Sequence, residues 1–303
     1  MLVQTPTTSH LSFLGSEYQV SYETSRVVIL PIPFEATTTY RKGCENGPDA
    51  LLVASEQLDY YDDELERETY LAGRIYTHSA IADTRGGEKI SSVEMLRLTR
   101  ETVCKIVKDG KFAIALGGEH SITSAIVDAY RQFYPEPFTV IQIDAHGDMR
   151  HEYEGSIYNH ACVMRRIVDM GLPTLPIAIR SLCKEEADFF KEKSIPVMWA
   201  REIAKNPNWI DKAISNISTE RVFITIDLDG IDPGSMAGVG TPEPGGLSWY
   251  ALTDFLRRVF ESHQVIGCDV MELAPVIDSV VSQFTAAKLV YKLIGYQALV
   301  KGW

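Results

Sequence analysis

The run Asp144-Ala145-His146-Gly147-Asp148 sets two carboxylates and an imidazole at alternate positions, directly after the apolar stretch Phe138-Thr139-Val140-Ile141-Gln142-Ile143. The stretch has the composition of a buried strand, and a strand turns residues i, i+2 and i+4 to one side. Three metal-binding groups therefore converge on one spot. The spacing recurs in Asp227-Leu228-Asp229, after Arg221-Val222-Phe223-Ile224-Thr225-Ile226. Two further apolar runs end on comparable chemistry: 112–116 leads into Gly117-Gly118-Glu119-His120-Ser121, and 265–270 into Met271-Glu272.

The set His120, Asp144, His146, Asp148, Asp227 and Asp229 holds two imidazoles and four carboxylates. Left bare, the carboxylates would repel and some would take up protons; two divalent cations would neutralise them. The set lacks the cysteines of most structural zinc sites. Its carboxylate-rich mixture suits Mn²⁺, and Ni²⁺ is conceivable on the same ligands. Two such ions about 3.5–4 Å apart activate a water for hydrolysis at neutral pH. Each cluster also has a plainer reading. Asp-x-Asp after a strand often opens a loop or caps a helix, and a histidine after Gly-Gly is often just a polar residue near a turn. The shared position of the clusters, each at the end of an apolar run, is what argues for chemistry.

Something must bring those ends together. Apolar runs at 27–31, 112–116, 138–143, 174–179, 197–199, 221–226 and 265–271 alternate with helical stretches at 48–58, 88–108, 122–133, 184–193, 248–261 and 279–299. That alternation predicts a parallel sheet covered on both faces, and open parallel sheets bind ligands at the carboxyl ends of their strands. One domain over 1–303 is expected, with residues 1–23 as an arm that packs loosely or serves an oligomer contact. The arm is polar and lacks the basic start and apolar centre of a secretion signal.

The net charge of −12 argues against nucleic acid and mildly favours a cationic substrate. No apolar run is long enough to span a membrane. Five scattered cysteines without a C-x-x-C pair fit a reduced, cytoplasmic setting, and Cys268, within an apolar strand, reads as core filler. The acidic run Tyr60-Tyr61-Asp62-Asp63-Glu64-Leu65-Glu66 reads as a solvated face.

The motifs 117–121, 144–148 and Asp227-Leu228-Asp229-Gly230-Ile231-Asp232-Pro233 resemble the signatures of the ureohydrolases, the family of arginases and agmatinases. The resemblance spans nearly the whole chain. It includes a loop from Pro33-Phe34 to Gly47-Pro48 in which Arg41, Gly43 and Gly47-Pro48 fall as in the agmatinase branch, while Glu35-Ala36 replaces the usual Asp-Gly. It implies a three-layer α/β/α, arginase-like fold around a central parallel eight-stranded sheet, two Mn²⁺ at its edge, and a homo-oligomer, trimer or hexamer. It implies that His120, Asp144, His146, Asp148, Asp227 and Asp229 ligate the two ions, with some carboxylates bridging. Glu272 would hold the substrate guanidinium, and His160 would shuttle a proton to the leaving amine. The chemistry is consistent: a carboxylate can take a guanidinium in a two-point grip, and a histidine relays protons near neutral pH. A surface-loop histidine and a helix-start carboxylate are the plainer readings of these two residues.

Of the groups with which arginases read an amino-acid head, the resemblance leaves Ser156. Arg150 stands where arginases carry Asn, and Cys183 where they carry an Asp. A site without those partners cannot favour arginine. The segment 144–166 looks most like the agmatinase branch, so hydrolysis of agmatine to putrescine and urea is the expectation; Glu152 and Glu154 could attract the amine, but a solvated acidic loop is the commoner explanation for such residues. The Gly/Pro-rich loop 232–247 is expected to line the entrance. Within the enzyme reading, guanidinobutyrate, free guanidine and arginine are the other substrates. Outside it stand a non-catalytic regulator binding a guanidino metabolite, and a single-zinc deacetylase on a related fold, which Asp148 and the Asp227/Asp229 pair count against.

Overall fold

The computed structural model of the chain describes residues 11–303. Its strands are β1 (Val27–Ile32), β2 (Tyr61–Asp62), β3 (Arg67–Glu68), β4 (Ile75–Thr77), β5 (Phe112–Gly117), β6 (Thr139–Ile143), β7 (Thr174–Ile179), β8 (Met198–Trp199), β9 (Arg221–Asp227) and β10 (Gln264–Met271). Its helices are α1 (Gly47–Ser55), α2 (Thr69–Gly73), α3 (Ser92–Lys108), α4 (Thr123–Phe133), α5 (Val163–Asp169), α6 (Lys184–Glu192), α7 (Ala200–Ile203), α8 (Trp209–Ser215), α9 (Trp249–Ser262) and α10 (Val281–Val300). Eight strands form one sheet in the order β4-β1-β5-β10-β9-β6-β7-β8, every pair parallel.

The strands read as continuous apolar runs because both faces are covered. Side chains alternate between two cores. Val27, Ile29, Ile114 and Ile141 join residues of α1, α8, α9 and α10; Val28, Leu30, Ala113 and Val140 join residues of α3, α4, α5 and α6. This is the expected three-layer α/β/α architecture. The apolar runs marked seven of the eight strands. The edge strand β4 has three residues, too few for a pattern, and α5 and α8 are too short to show helical periodicity. The helix expected from 88 starts at Ser92, where the Ser91 side chain caps it by accepting from the Glu94 N–H at 3.2 Å.

Two expectations change. Residues 1–10 of the arm lie outside the described residues, but from 11 onward it is not loose. Phe13 and Leu14 are buried, their N–H groups donating to Thr77 Oγ1 and Ser55 Oγ. The acidic run 60–66 is a solvated face only in part: Tyr61, Asp63 and Glu66 are exposed, but Asp62 is fully buried and receives Lys292 Nζ at 2.6 Å. Spacing in sequence could not show that a cation 230 residues away closes on it.

Candidate metal centre and active site

Four adjacent central strands, β5, β10, β9 and β6, deliver the chemistry. His120 follows β5, Glu272 follows β10, Asp227 ends β9 with Asp229 just beyond, and Asp144, His146 and Asp148 follow β6. Parallel register puts all four ends on one edge, where an α/β sheet leaves its crevice. The backbone is forced there: Asp148 (φ 52°) and Glu272 (φ 66°) adopt left-handed conformations unusual for residues with a Cβ, a strain of the kind that clusters at functional sites. Gly118 allows close approach, since a Cβ there would lie 2.0 Å from the Phe34 carbonyl oxygen.

His120 is fully buried. Its Nε2 lies 2.8 Å from Thr225 Oγ1. Its Nδ1 faces three carboxylate oxygens, Asp144 Oδ2 and Asp148 Oδ2 at 3.2 Å and Asp227 Oδ2 at 3.4 Å; in the neutral ring, with Nε2–H donating to Thr225, Nδ1 would present them a lone pair. Nδ1 has no well-directed hydrogen-bond partner. Four acceptors facing one another is the donor set of a cation site, fixed from behind by a threonine. His146 Nδ1 lies 2.9 Å from Asp229 Oδ2 and 3.7 Å from Asp144 Oδ1. Two triads result, His120/Asp144/Asp148 and Asp144/His146/Asp229, each with its ligand atoms within 4.8 Å of one another and Asp144 common to both.

The electrostatics agree. Burial pushes the Asp148 carboxyl up to about 7, and the Asp144 charge adds to it. Burial and the Asp229 and Asp144 charges hold Asp227 well above the usual carboxylate range. Burial works against a charged His146, but Asp229 and Asp144 outweigh it and lift the ring to about 12. For His120, burial is likewise outweighed by its three carboxylates, and its pKa stands well above the ordinary value. The site demands positive charge that the chain supplies only through two histidines.

All six candidate ligands except Asp144 line one cavity of about 320 Å³, together with Glu272, His160, Tyr153 and Arg150. Glu272 Oε1 accepts from the His120 N–H at 2.7 Å, and burial raises its carboxyl to about 8. His160 sits where Asn159 caps a short 3-10 helix, the Asn159 side chain accepting from the Ala161 N–H. Burial, and then the positive His120 and His146, bring His160 down to about 4. Gly240 and Thr241 of the 232–247 loop line the cavity as expected. That loop is pinned by Arg41, which donates to the carbonyls of Ala237, Val239, Ala274 and Pro275. Glu35 takes up its altered place by accepting from the Thr38 hydroxyl and the Gly43 N–H. Cys183 lines the cavity. Glu152 and Glu154 are exposed and, like Ser156, are not part of its wall.

Residues 25–295 match the arginase family. The chain belongs to the arginase family. Within it the chain is a ureohydrolase of the agmatinase-like branch, acting on guanidino C–N bonds. It is 58% identical over 284 residues to the N(1)-aminopropylagmatine ureohydrolase of Synechocystis sp., covering 94% of this chain and 93% of that one. It is 33% identical to the agmatinase of Bacillus anthracis, over 85% of this chain and 87% of the relative. The crystal structure of agmatine ureohydrolase of Thermoplasma volcanium superposes with a TM-score of 0.80 at 29% identity, over 93% of each chain. Among the described residues of this arginase-family member, no helix is long and apolar enough to cross a membrane.

Sequence reasoning overlooked the groups behind the ligands. Thr225 stands two residues before Asp227 on β9, and Gln142, on β6, two before Asp144 just past the strand's end, so each faces the side of its candidate ligand. Gln142 Nε2 donates to Asp144 Oδ2 at 2.8 Å. That spacing was the available signal. Glu119, next to His120, and Thr37, in the loop after β1, had no comparable signal.

Proposed function

We propose that this ureohydrolase removes the guanidinium group of a linear polyamine as urea, with N1-aminopropylagmatine as preferred substrate, and that it uses two divalent cations, Mn²⁺ or Ni²⁺. The observation that carries the reaction is the pair of triads sharing Asp144 in a cavity that Glu272 also lines. His120, Asp144, Asp148 and Asp227 would hold one ion, and Asp144, His146 and Asp229 the other. When bound, the ions supply Lewis acidity and lower the pKa of water, so that hydrolysis runs near neutral pH.

The chain's own groups do the rest. Glu272 has Oε1 fixed by the His120 N–H, which leaves Oε2 for the substrate. A guanidinium beside it restores the ionised form that burial disfavours. His160, neutral at physiological pH, takes a proton from the reacting centre and hands it to the departing nitrogen.

The identity of 58% to an aminopropylagmatine ureohydrolase, against 33% to an agmatinase, carries the substrate choice. A carboxylate tail, as in guanidinobutyrate, would need a free cation in the wall. Arg41 and Arg150 are the arginines of the wall, but Arg41 donates to four backbone carbonyls and Arg150 stacks on the Tyr153 ring at 4.4 Å and lies 4.0 Å from Glu186 Oε2, so both are already engaged. Agmatine is the second reading, favoured by the agmatinase relative. A urea-release panel of N1-aminopropylagmatine, agmatine, arginine, guanidinobutyrate and guanidine, each with Mn²⁺ and with Ni²⁺, tests both. The expected kcat/KM for aminopropylagmatine exceeds that for agmatine by about tenfold or more, with arginine near background. A preference for agmatine removes the substrate choice; no urea from any compound with both ions bound removes the enzyme reading in favour of a regulator.

A further inference from the structure

We propose that Thr37 and Glu119 are positioning residues that hold His160 in the tautomer with its proton on Nδ1, so that Nε2 is the relay atom. The proposal rests on the reading of His160 as the proton relay.

Glu119 is fully buried between β5 and His120. Four donors converge on it: the N–H groups of Ala36 and Thr37 on Oε2, both at 2.6 Å, and the hydroxyls of Ser121 and Thr37 on Oε1, at 2.5 and 2.8 Å. That is the coordination of a carboxylate, an acceptor with nothing to give back. The single proton of the Thr37 hydroxyl is therefore spent on Glu119, and only lone pairs remain to face His160. They lie 3.0 Å from the His160 backbone nitrogen, whose N–H they accept, and 3.2 Å from Nδ1. Nδ1 must then be the donor, and Nε2 carries the lone pair. The polarity of the chain is set at Glu119 and transmitted through one hydroxyl. Residues from three distant segments, 37, 119 and 160, are brought into line for it.

Substitutions can reverse or cut this chain. In Glu119→Gln the amide oxygen must stay with the two backbone N–H donors, so the amide NH₂ faces Thr37. The Thr37 hydroxyl then turns its proton to Nδ1 and the tautomer flips. Thr37→Val cuts the link; Thr37→Ser preserves it. Ring ¹⁵N shifts of His160 in enzyme loaded with diamagnetic Zn²⁺ read the tautomer, and kinetics with Mn²⁺ read the consequence. The expected result is Nδ1–H in the native protein and Thr37→Ser, Nε2–H in Glu119→Gln, and a kcat lowered about tenfold or more in Thr37→Val and Glu119→Gln with KM changed less than about twofold. A tautomer that does not respond to Glu119→Gln, or a kcat within about twofold of native in Thr37→Val and Glu119→Gln, overturns the proposal. His160→Asn separates the two levels. Lost turnover there with normal turnover in Thr37→Val removes only the positioning role; normal turnover in His160→Asn removes the relay itself.

Discussion

Two groups of acids in this molecule are balanced in opposite ways. Asp62 and Glu64, on the hairpin of β2 and β3, are met by cations of the chain itself. Lys292 Nζ reaches Asp62 Oδ1 at 2.6 Å and Glu64 Oε2 at 2.9 Å, and Arg257 and the Tyr296 hydroxyl add contacts to Glu64 at 2.9 Å each. Asp144, Asp148, Asp227 and Asp229 have more charge to neutralise and less to do it with: among the described residues their ion pairs are with His120 and His146 alone. Burying charge costs several kcal/mol per ion unless it is paired. Where the chain supplies lysine and arginine, the acids fasten α10 to the hairpin. Where it withholds them, the deficit is a demand for foreign cations.

The sharpest way to break that contrast is Asp144→Ala, which removes the one carboxylate common to both triads. Metal content measured by plasma mass spectrometry is expected to fall from the proposed two ions per chain toward none. The kcat should drop about 10³-fold or more, matching the several kcal/mol of transition-state stabilisation that such ions contribute. Asp148→Ala should lose metal and activity together as well. Full metal content with normal turnover in either variant would end the ligand assignment. Lys292→Met is the mirror experiment. It leaves Asp62 buried without its cation, at a cost of about 3–5 kcal/mol in the urea unfolding curve, while the folded fraction keeps its metals and its kcat. A loss of activity per folded molecule would join two regions that the comparison separates.

Glu272→Gln probes the strand-end acid that is not offered to an ion. It should retain both metals and lower kcat/KM by about 10–100-fold, the worth of a hydrogen bond to a charged group. An unchanged kcat/KM would contradict the guanidinium role.

The sheet and its active edge were legible because each depends on local pattern. Buried parallel strands are unbroken apolar runs, and Asp144, His146 and Asp148 betray themselves by spacing at the end of one. What stayed hidden depends on chain return. Asp62 reads as solvated in sequence because Lys292 lies far along the chain. Phe13 and Leu14 looked like part of a loose arm because the partners of their N–H groups, Thr77 and Ser55, follow much later. Thr37 meets Glu119 and His160 only through the fold, and no one-dimensional pattern encodes a threonine hydroxyl shared by two segments.

Glu64 offers the gentlest test, because here the comparison predicts a sign rather than a collapse. Burial alone would raise its carboxyl, but hydrogen bonds from Lys292, Arg257 and Tyr296 hold it below the usual range. A folded pKa below the unfolded value of about 4.3 means stability that is present above that pH and lost as pH falls through the folded value. Glu64→Gln should therefore unfold earlier in urea than the native chain at neutral pH, and the gap should narrow as pH drops below about 4.3. Glu64 is a quarter exposed, so screening limits the gap to about 1 kcal/mol or less. Pairing the two proteins at each pH cancels whatever the strand-end acids contribute. A gap that widens toward low pH would mean that Glu64 is protonated more readily in the folded chain, and that the hairpin acids share the charge deficit of the strand ends after all.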